Sequence, residues 1–151
     1  MLRRLIASFI LVSLCVVIHV FGLVQLTEWL IRHRPIGKRK HNTWRSSALL
    51  AAAFFIIILL HLTEVSIWAA FYDFRGHFAD FETGAYFSLA FYTTIGYGDV
   101  VLPPKWRLMG GLEGLTGMLL CGLSTAFLFT IVKEVFFARP RRRIDSDASV
   151  N

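Results

Sequence analysis

Thr93-Thr94-Ile95-Gly96-Tyr97-Gly98-Asp99 is the stretch on which the reading of this chain turns. At average residue usage, a Thr-x-Gly-Tyr-Gly-Asp string arises by chance in a chain of this length on the order of once in ten thousand sequences. Directly before it runs an apolar stretch, Phe81 to Tyr92, opened by Asp80 as a helix N-cap, with Glu82 in the first turn where the helix dipole favours a carboxylate. That stretch is too short to cross about 30 Å of hydrocarbon, which takes about 20 residues. A half-length helix between two longer apolar segments has to enter the membrane and return. Such backbone is tolerated only where protein or a water-filled cavity surrounds it. The arrangement points to a pore.

Working outward, the flanking segments are long enough to span. One runs from about Ser47 to Tyr72 and is interrupted by His61 and Glu64; the other runs from about Leu108 to Val132 and holds a single charge, Glu113. A further apolar segment, Leu5 to Leu26, follows the basic start Arg3-Arg4. It is too long for a signal peptide and no small-residue cleavage site follows it, so it reads as a third span. The 151 residues are 56% hydrophobic and 17% charged, against about 45–50% and about 25% in soluble domains. This is an all-α integral membrane protein; a soluble enzyme is excluded and no enzymatic activity is expected. Cys15 and Cys121 each sit inside an apolar run, so they read as small core residues rather than a disulfide framework.

The sixteen lysines and arginines set the expected orientation. Six lie between the first two spans (Arg32, Arg34, Lys38, Arg39, Lys40, Arg45) and five follow the last (Lys133, Arg139, Arg141, Arg142, Arg143). The positive-inside rule makes that side cytoplasmic and puts the N-terminus and the short-helix region outside. Arg3 and Arg4 count against it. The two basic clusters fix topology and touch anionic lipid. The expected membrane is a plasma (inner) membrane of prokaryotic type.

The stretch at 93–99 resembles the selectivity filter of potassium channels, in which rings of backbone carbonyls replace the hydration shell of the ion. The resemblance covers about Ser47 to Val132. It divides the chain into an extra N-terminal helix (1–31), a basic loop (32–46), a pore domain (47–132) and a basic tail (133–151). Within the pore domain it implies an outer helix at 47–72, pore helix and filter at 80–99, and an inner helix at 107–132. It further implies that the carbonyls of Thr94, Ile95, Gly96 and Tyr97 line the K+ sites, with the Thr94 hydroxyl adding the innermost ring. The Ile95 and Tyr97 side chains then turn away to pack against the pore helix. Gly96 and Gly98 reach positive φ at no steric cost, and Asp99 at the outer mouth concentrates cations. Each chain supplies a quarter of the ring, so the resemblance implies a homotetramer. Passive conduction of K+, the permeant ion, is the expected function, without a cofactor and without a nucleic-acid partner. A non-conducting adaptor or modulatory channel subunit with the same fold is the alternative.

Around the filter, Tyr86 and Phe87 read as plain packing, or, by resemblance, as an aromatic cuff in which Tyr86 donates to Asp99. Several bacterial relatives place a glutamate four residues before the filter threonine, where this chain has Ala90. On the inner helix Gly110, Gly114, Gly117 and Cys121 form a small-residue stripe that lets helices approach closely. The family's inner helices also bend at a glycine, and Gly117 and Gly122 both lie near that level. Only nineteen residues follow Val132 and no span repeats arginine every third position. Gating is therefore expected from the filter, the bundle, lipid or titration of buried groups.

Charges in hydrocarbon cost at least about 2.5–3.5 kcal/mol at a helix centre, so His61, Glu64 and Glu113 should face protein or water and have partners. His61 and Glu64 are three apart and share a helix face. The plain expectation is that each carboxyl is protonated or bonded to a nearby hydroxyl such as Thr116 or Tyr92. The sharper one is that Glu113, helped by Glu64, braces the back of the pore helix in place of the carboxylate missing at Ala90. Two carboxylates at similar depth would then make the filter sensitive to external pH.

Overall fold

A computed structural model describes residues 2–33 and 43–136. The central part of the basic loop, with Arg34, Lys38, Lys40 and Arg39, and the tail beyond 136, with its four arginines, lie outside the described residues. The described chain is all helical: α1 (Leu2–His33), α2 (Thr43–Phe74), α3 (Phe81–Tyr92) and α4 (Arg107–Phe136), with a 3-10 turn at Pro104–Trp106 leading into α4. Three of these segments, Leu2–His33, Trp44–Phe74 and Pro104–Glu134, are long and apolar enough to cross a membrane.

The three long helices outlast the apolar runs that mark them in sequence. At about 1.5 Å per residue, α1 with its 32 residues is about 48 Å long, enough for the hydrocarbon and both headgroup layers. In the headgroup layers a helix needs no apolar face. The exposed Arg32–Glu28 pair, 3.0 Å apart and one turn apart, decorates the last turns of α1 accordingly.

A single stripe on α1 is buried: Ser8, Leu11, Cys15, His19, Leu23, Leu26 and Leu30. Steps of three and four place these residues on one face. Ile10, Val17, Phe21 and Val24 on the other faces are exposed. The stripe packs α1 against α2 and α4, and α3 also packs against α2 and α4. Two apolar clusters result. Leu11, Cys15, Trp68, Tyr72, Phe87, Leu102, Met109 and Leu120 form one, around α3. Leu23, Leu26, Leu30, Ala53, Ile57 and Ile131 form the other, at the opposite end of the bundle. His19 and Glu64 lie between the two in sequence on α1 and α2, so a polar layer separates the clusters.

The N-terminal end of α1 lies beside the loop that joins α3 to α4. Arg4 Nη1 donates to the Lys105 carbonyl at 2.6 Å, and the Arg4 guanidinium lies 5.3 Å from the Trp106 ring. Arg75, just past α2, approaches the same ring at 5.1 Å. His77 meets Trp106 at a tilt, with ring centroids 4.4 Å apart; burial, and then Arg75, hold its imidazole below the ordinary value. The start of α1, the end of α2 and the 93–106 loop therefore share one end of the bundle.

Candidate functional site

Asp80 caps α3 by accepting the Thr83 N–H at 2.7 Å, and the helix stops at Tyr92. Its last carbonyls then tie down the stretch that follows. Thr93 N–H and hydroxyl both donate to Leu89 O, at 3.1 and 2.6 Å, and Thr94 N–H donates to Phe91 O at 2.9 Å. Gly96 N–H reaches back to Ala90 O at 3.0 Å. At Ala90 this chain thus anchors the stretch by a backbone carbonyl.

Thr94, Gly96 and Gly98 have φ of 61°, 52° and 81°, while Ile95 and Tyr97 do not have positive φ. The hand of the backbone alternates residue by residue. A non-glycine residue held at positive φ, as Thr94 is, costs of order 1–3 kcal/mol and persists where its surroundings fix it. In the single chain Ile95 and Tyr97 are exposed, 56% and 69%.

The small residues of α4 form the seat of α3. A Cβ on Gly110 would come within 3.1 Å of Phe91, and one on Gly114 within 2.9 Å of the Phe91 carbonyl oxygen. A Cβ on Gly117 would overlap the Tyr92 carbonyl oxygen and lie 2.8 Å from its ring. Gly122 faces nothing within 4 Å.

Of the aromatics, Phe87 is buried, stacked on Phe91 at 4.3 Å and edge-on to Tyr72 at 5.4 Å. Tyr86 is partly exposed, and its hydroxyl donates to Asp99 Oδ2 at 2.7 Å. That bond, assisted by the Val100 N–H at 2.9 Å, holds the Asp99 carboxyl below its usual range.

The two buried carboxylates go to different partners. Glu113 accepts the Tyr72 hydroxyl at 2.8 Å on Oε2; Ser88 of α3 is the other neighbour close enough to interact with it. Glu113 Oε1 and Ser88 Oγ are buried and make no hydrogen bond. Thr116 turns its hydroxyl to Leu112 O of its own helix, at 2.7 Å. Glu64 accepts from the Tyr92 hydroxyl and meets His19 Nδ1 at 2.8 Å. His61 meets the Tyr92 hydroxyl at 2.9 Å and Ser124 Oγ at 3.1 Å. By ligand chemistry, His19, His61 and Glu64 could hold a divalent metal, their donor atoms lying within 4.8 Å of one another.

Three members of these networks, His19, Tyr72 and Ser124, escape a reading by charge alone. His19 stands in a span free of formal charge, Tyr72 reads as the end of the second span, and serine is common in membrane helices. A signal for His19 exists: it occupies the Leu11–Cys15–His19–Leu23 stripe at steps of four, where an ionisable group inside a span demands a partner.

Residues 60–134 match a family model described as "Ion channel". Over these residues the chain belongs to that ion-channel family. No curated protein and no solved structure matches it. The matched part of the channel holds the second half of α2, all of α3, the 93–99 stretch and α4 as far as Glu134. Helix α1 lies outside it. Together with three apolar helices of spanning length, the match makes this a multi-pass membrane channel.

Proposed function

We propose that this channel is selective for potassium and conducts it passively through a homotetrameric pore. In this reading α3 is a re-entrant pore helix, and the carbonyls of Thr94, Ile95, Gly96 and Tyr97, with the Thr94 hydroxyl, take the place of the ion's water. The observation that carries it is the positive φ at Thr94, Gly96 and Gly98, a backbone outside ordinary helix and strand of the kind a carbonyl-lined filter would use. Four such stretches make a closed ring; one does not. Apolar exposure at Ile95 and Tyr97 supports the same assembly, since neighbouring copies would cover both side chains. Asp99, held ionised by Tyr86, gathers cations at the mouth. The mouth, with the N-terminus beside it, faces outward, and the basic loop and tail face the cytoplasm and its anionic lipid.

Purified protein reconstituted alone into liposomes tests the reading. Potassium and rubidium should flow, sodium should not, and barium, with potassium's size and twice its charge, should block. Equal sodium and potassium permeability sinks the filter assignment. Absence of any flux from an intact tetramer favours the adaptor function.

A further inference from the structure

Five side chains from all four helices close a ring behind the end of α3. Glu64 Oε1 meets His19 Nδ1 at 2.8 Å, His19 Nε2 meets Ser124 Oγ at 2.9 Å, and Ser124 Oγ meets His61 Nε2 at 3.1 Å. His61 Nδ1 then meets the Tyr92 hydroxyl at 2.9 Å, and the Tyr92 hydroxyl donates to Glu64 Oε2, which completes the circuit; a longer contact, His61 Nδ1 to Glu64 Oε2 at 3.4 Å, crosses it. His19 and Glu64 are fully buried, and Tyr92 and Ser124 nearly so.

The five short contacts of the circuit require five protons, one in each. A carboxylic acid, two neutral imidazoles, a serine and a phenol bring one apiece. Every donor then points the same way round: Glu64 to His19, His19 to Ser124, Ser124 to His61, His61 to Tyr92, Tyr92 to Glu64. Shifting a proton from Glu64 to an imidazole leaves the total at five and the ring neutral overall. Four protons leave one contact with facing lone pairs and a net negative charge. Six leave two hydrogens facing each other and a net positive charge. His61 keeps 18% of its side chain exposed; at the other four, buried members an unmade bond costs the desolvation of the group. Cys15 of α1 and Cys121 of α4 are the other ionisable groups near Glu64; Glu113 is engaged by Tyr72. No lysine or arginine hydrogen bond or ion pair enters the ring among the described residues.

We propose that this neutral five-proton ring is the device by which α1 fixes the end of α3, and that His19 and Ser124 are positioning residues for the 93–99 stretch. Tyr92 is the last residue of α3, seated on Gly117 by its backbone and held in the ring by its hydroxyl. Locking both ends of Tyr92 fixes where the chain departs toward Thr94. The extra helix, outside the matched family segment, thereby becomes part of the pore's support. What is positioned rests on the filter reading; the existence of the ring does not.

The test uses the full-length channel, with two readouts: amide hydrogen exchange across residues 92–98, and potassium-over-sodium flux in liposomes. Ser124→Ala removes the member that bonds both imidazoles, and His19→Leu opens the ring at α1. Each should speed exchange about tenfold and lower selectivity about tenfold. Glu64→Gln and His19→Gln both retain one donor and one acceptor. Both should stay within about twofold of wild type on each readout. A Glu64→Gln channel that behaves like His19→Leu overturns the proposal, because charge and not ring closure would then matter. So does a silent Ser124→Ala. So does a stoichiometric first-row divalent ion that copurifies with wild type and is lost from His19→Gln, since a metal would use the same donor atoms. Exchange that follows the ring in a channel without potassium selectivity keeps the ring and rejects the filter reading instead.

Discussion

The Tyr72 hydroxyl meets Glu113 Oε2 at 2.8 Å, joining α2 to α4 behind the buried face of α3. It is the hydrogen bond made to that carboxyl, whose other oxygen is buried and unbonded. Tyr72→Phe strips a buried acid of its donor and should destabilise the protein by about 1–3 kcal/mol, read as a lower thermal midpoint in detergent. Glu113→Gln keeps an acceptor for the phenol and should cost less. Equal losses would show that the bond is not what the carboxyl contributes.

The same relationship bears on gating. Glu113 stands beside Ser88 of α3, so under the proposed reading its charge acts next to the helix that precedes the 93–99 stretch. Glu113→Gln should alter open probability and flatten its dependence on external pH. Single-channel currents identical to wild type over about pH 5 to 8 would leave Glu113 with a packing role only.

At Asp99 the sign is set by Tyr86. Its hydroxyl favours the ionised form of Asp99 and depresses that group's pKa. The bond's contribution is therefore present above the ordinary aspartate value of about 3.9 and is lost as pH falls through the depressed value. Tyr86→Phe should move the acid midpoint of conductance upward. The measurement is inward potassium current against external pH, and an unmoved midpoint rejects the coupling.

Gly96→Ala and Gly98→Ala should abolish selective flux while leaving the fold intact. A methyl at either position meets nothing within 4 Å in the single chain. The loss comes from the positive φ alone, about 1–2 kcal/mol per residue. Circular dichroism and thermal midpoints near wild type, with sodium leak, are the expected pair of results.

The inner-helix glycines should separate. Gly117→Ala drives a methyl into the Tyr92 carbonyl and should cost about 1–3 kcal/mol from overpacking. Gly122 faces open space, so Gly122→Ala should be neutral or add up to about 1 kcal/mol through helix propensity. Thermal unfolding in detergent decides it. A neutral Gly122→Ala beside a costly Gly117→Ala would show that α3 needs the small residue at 117 and not at 122.

The architecture was legible because its signals are local. Phe81 to Tyr92 announces itself by an N-cap and a length too short to cross, and the 93–99 stretch by residue types that only a special backbone requires. Helix ends were less legible: Glu28 and Arg32 continue α1 through the headgroup layer, where hydropathy no longer marks it. The buried networks were partly hidden for a different reason. Glu64 and Glu113 declare that they need partners, yet nothing local indicates that Glu64 takes His19, 45 positions away, or that Tyr72 serves Glu113 from 41 away. Tertiary packing supplies those pairings.

His19 and Ser124 are separated by 105 positions, and this distance imposes an order on biosynthesis. At about 5–20 residues per second, His19 waits about 5–20 s for Ser124 to be made. Until then α1 and α2 lie in the bilayer with ionisable groups incompletely paired, each at a cost of a few kcal/mol. The nascent chain is thus held together loosely until its last helix is threaded in, and quality control has a long interval in which to inspect it.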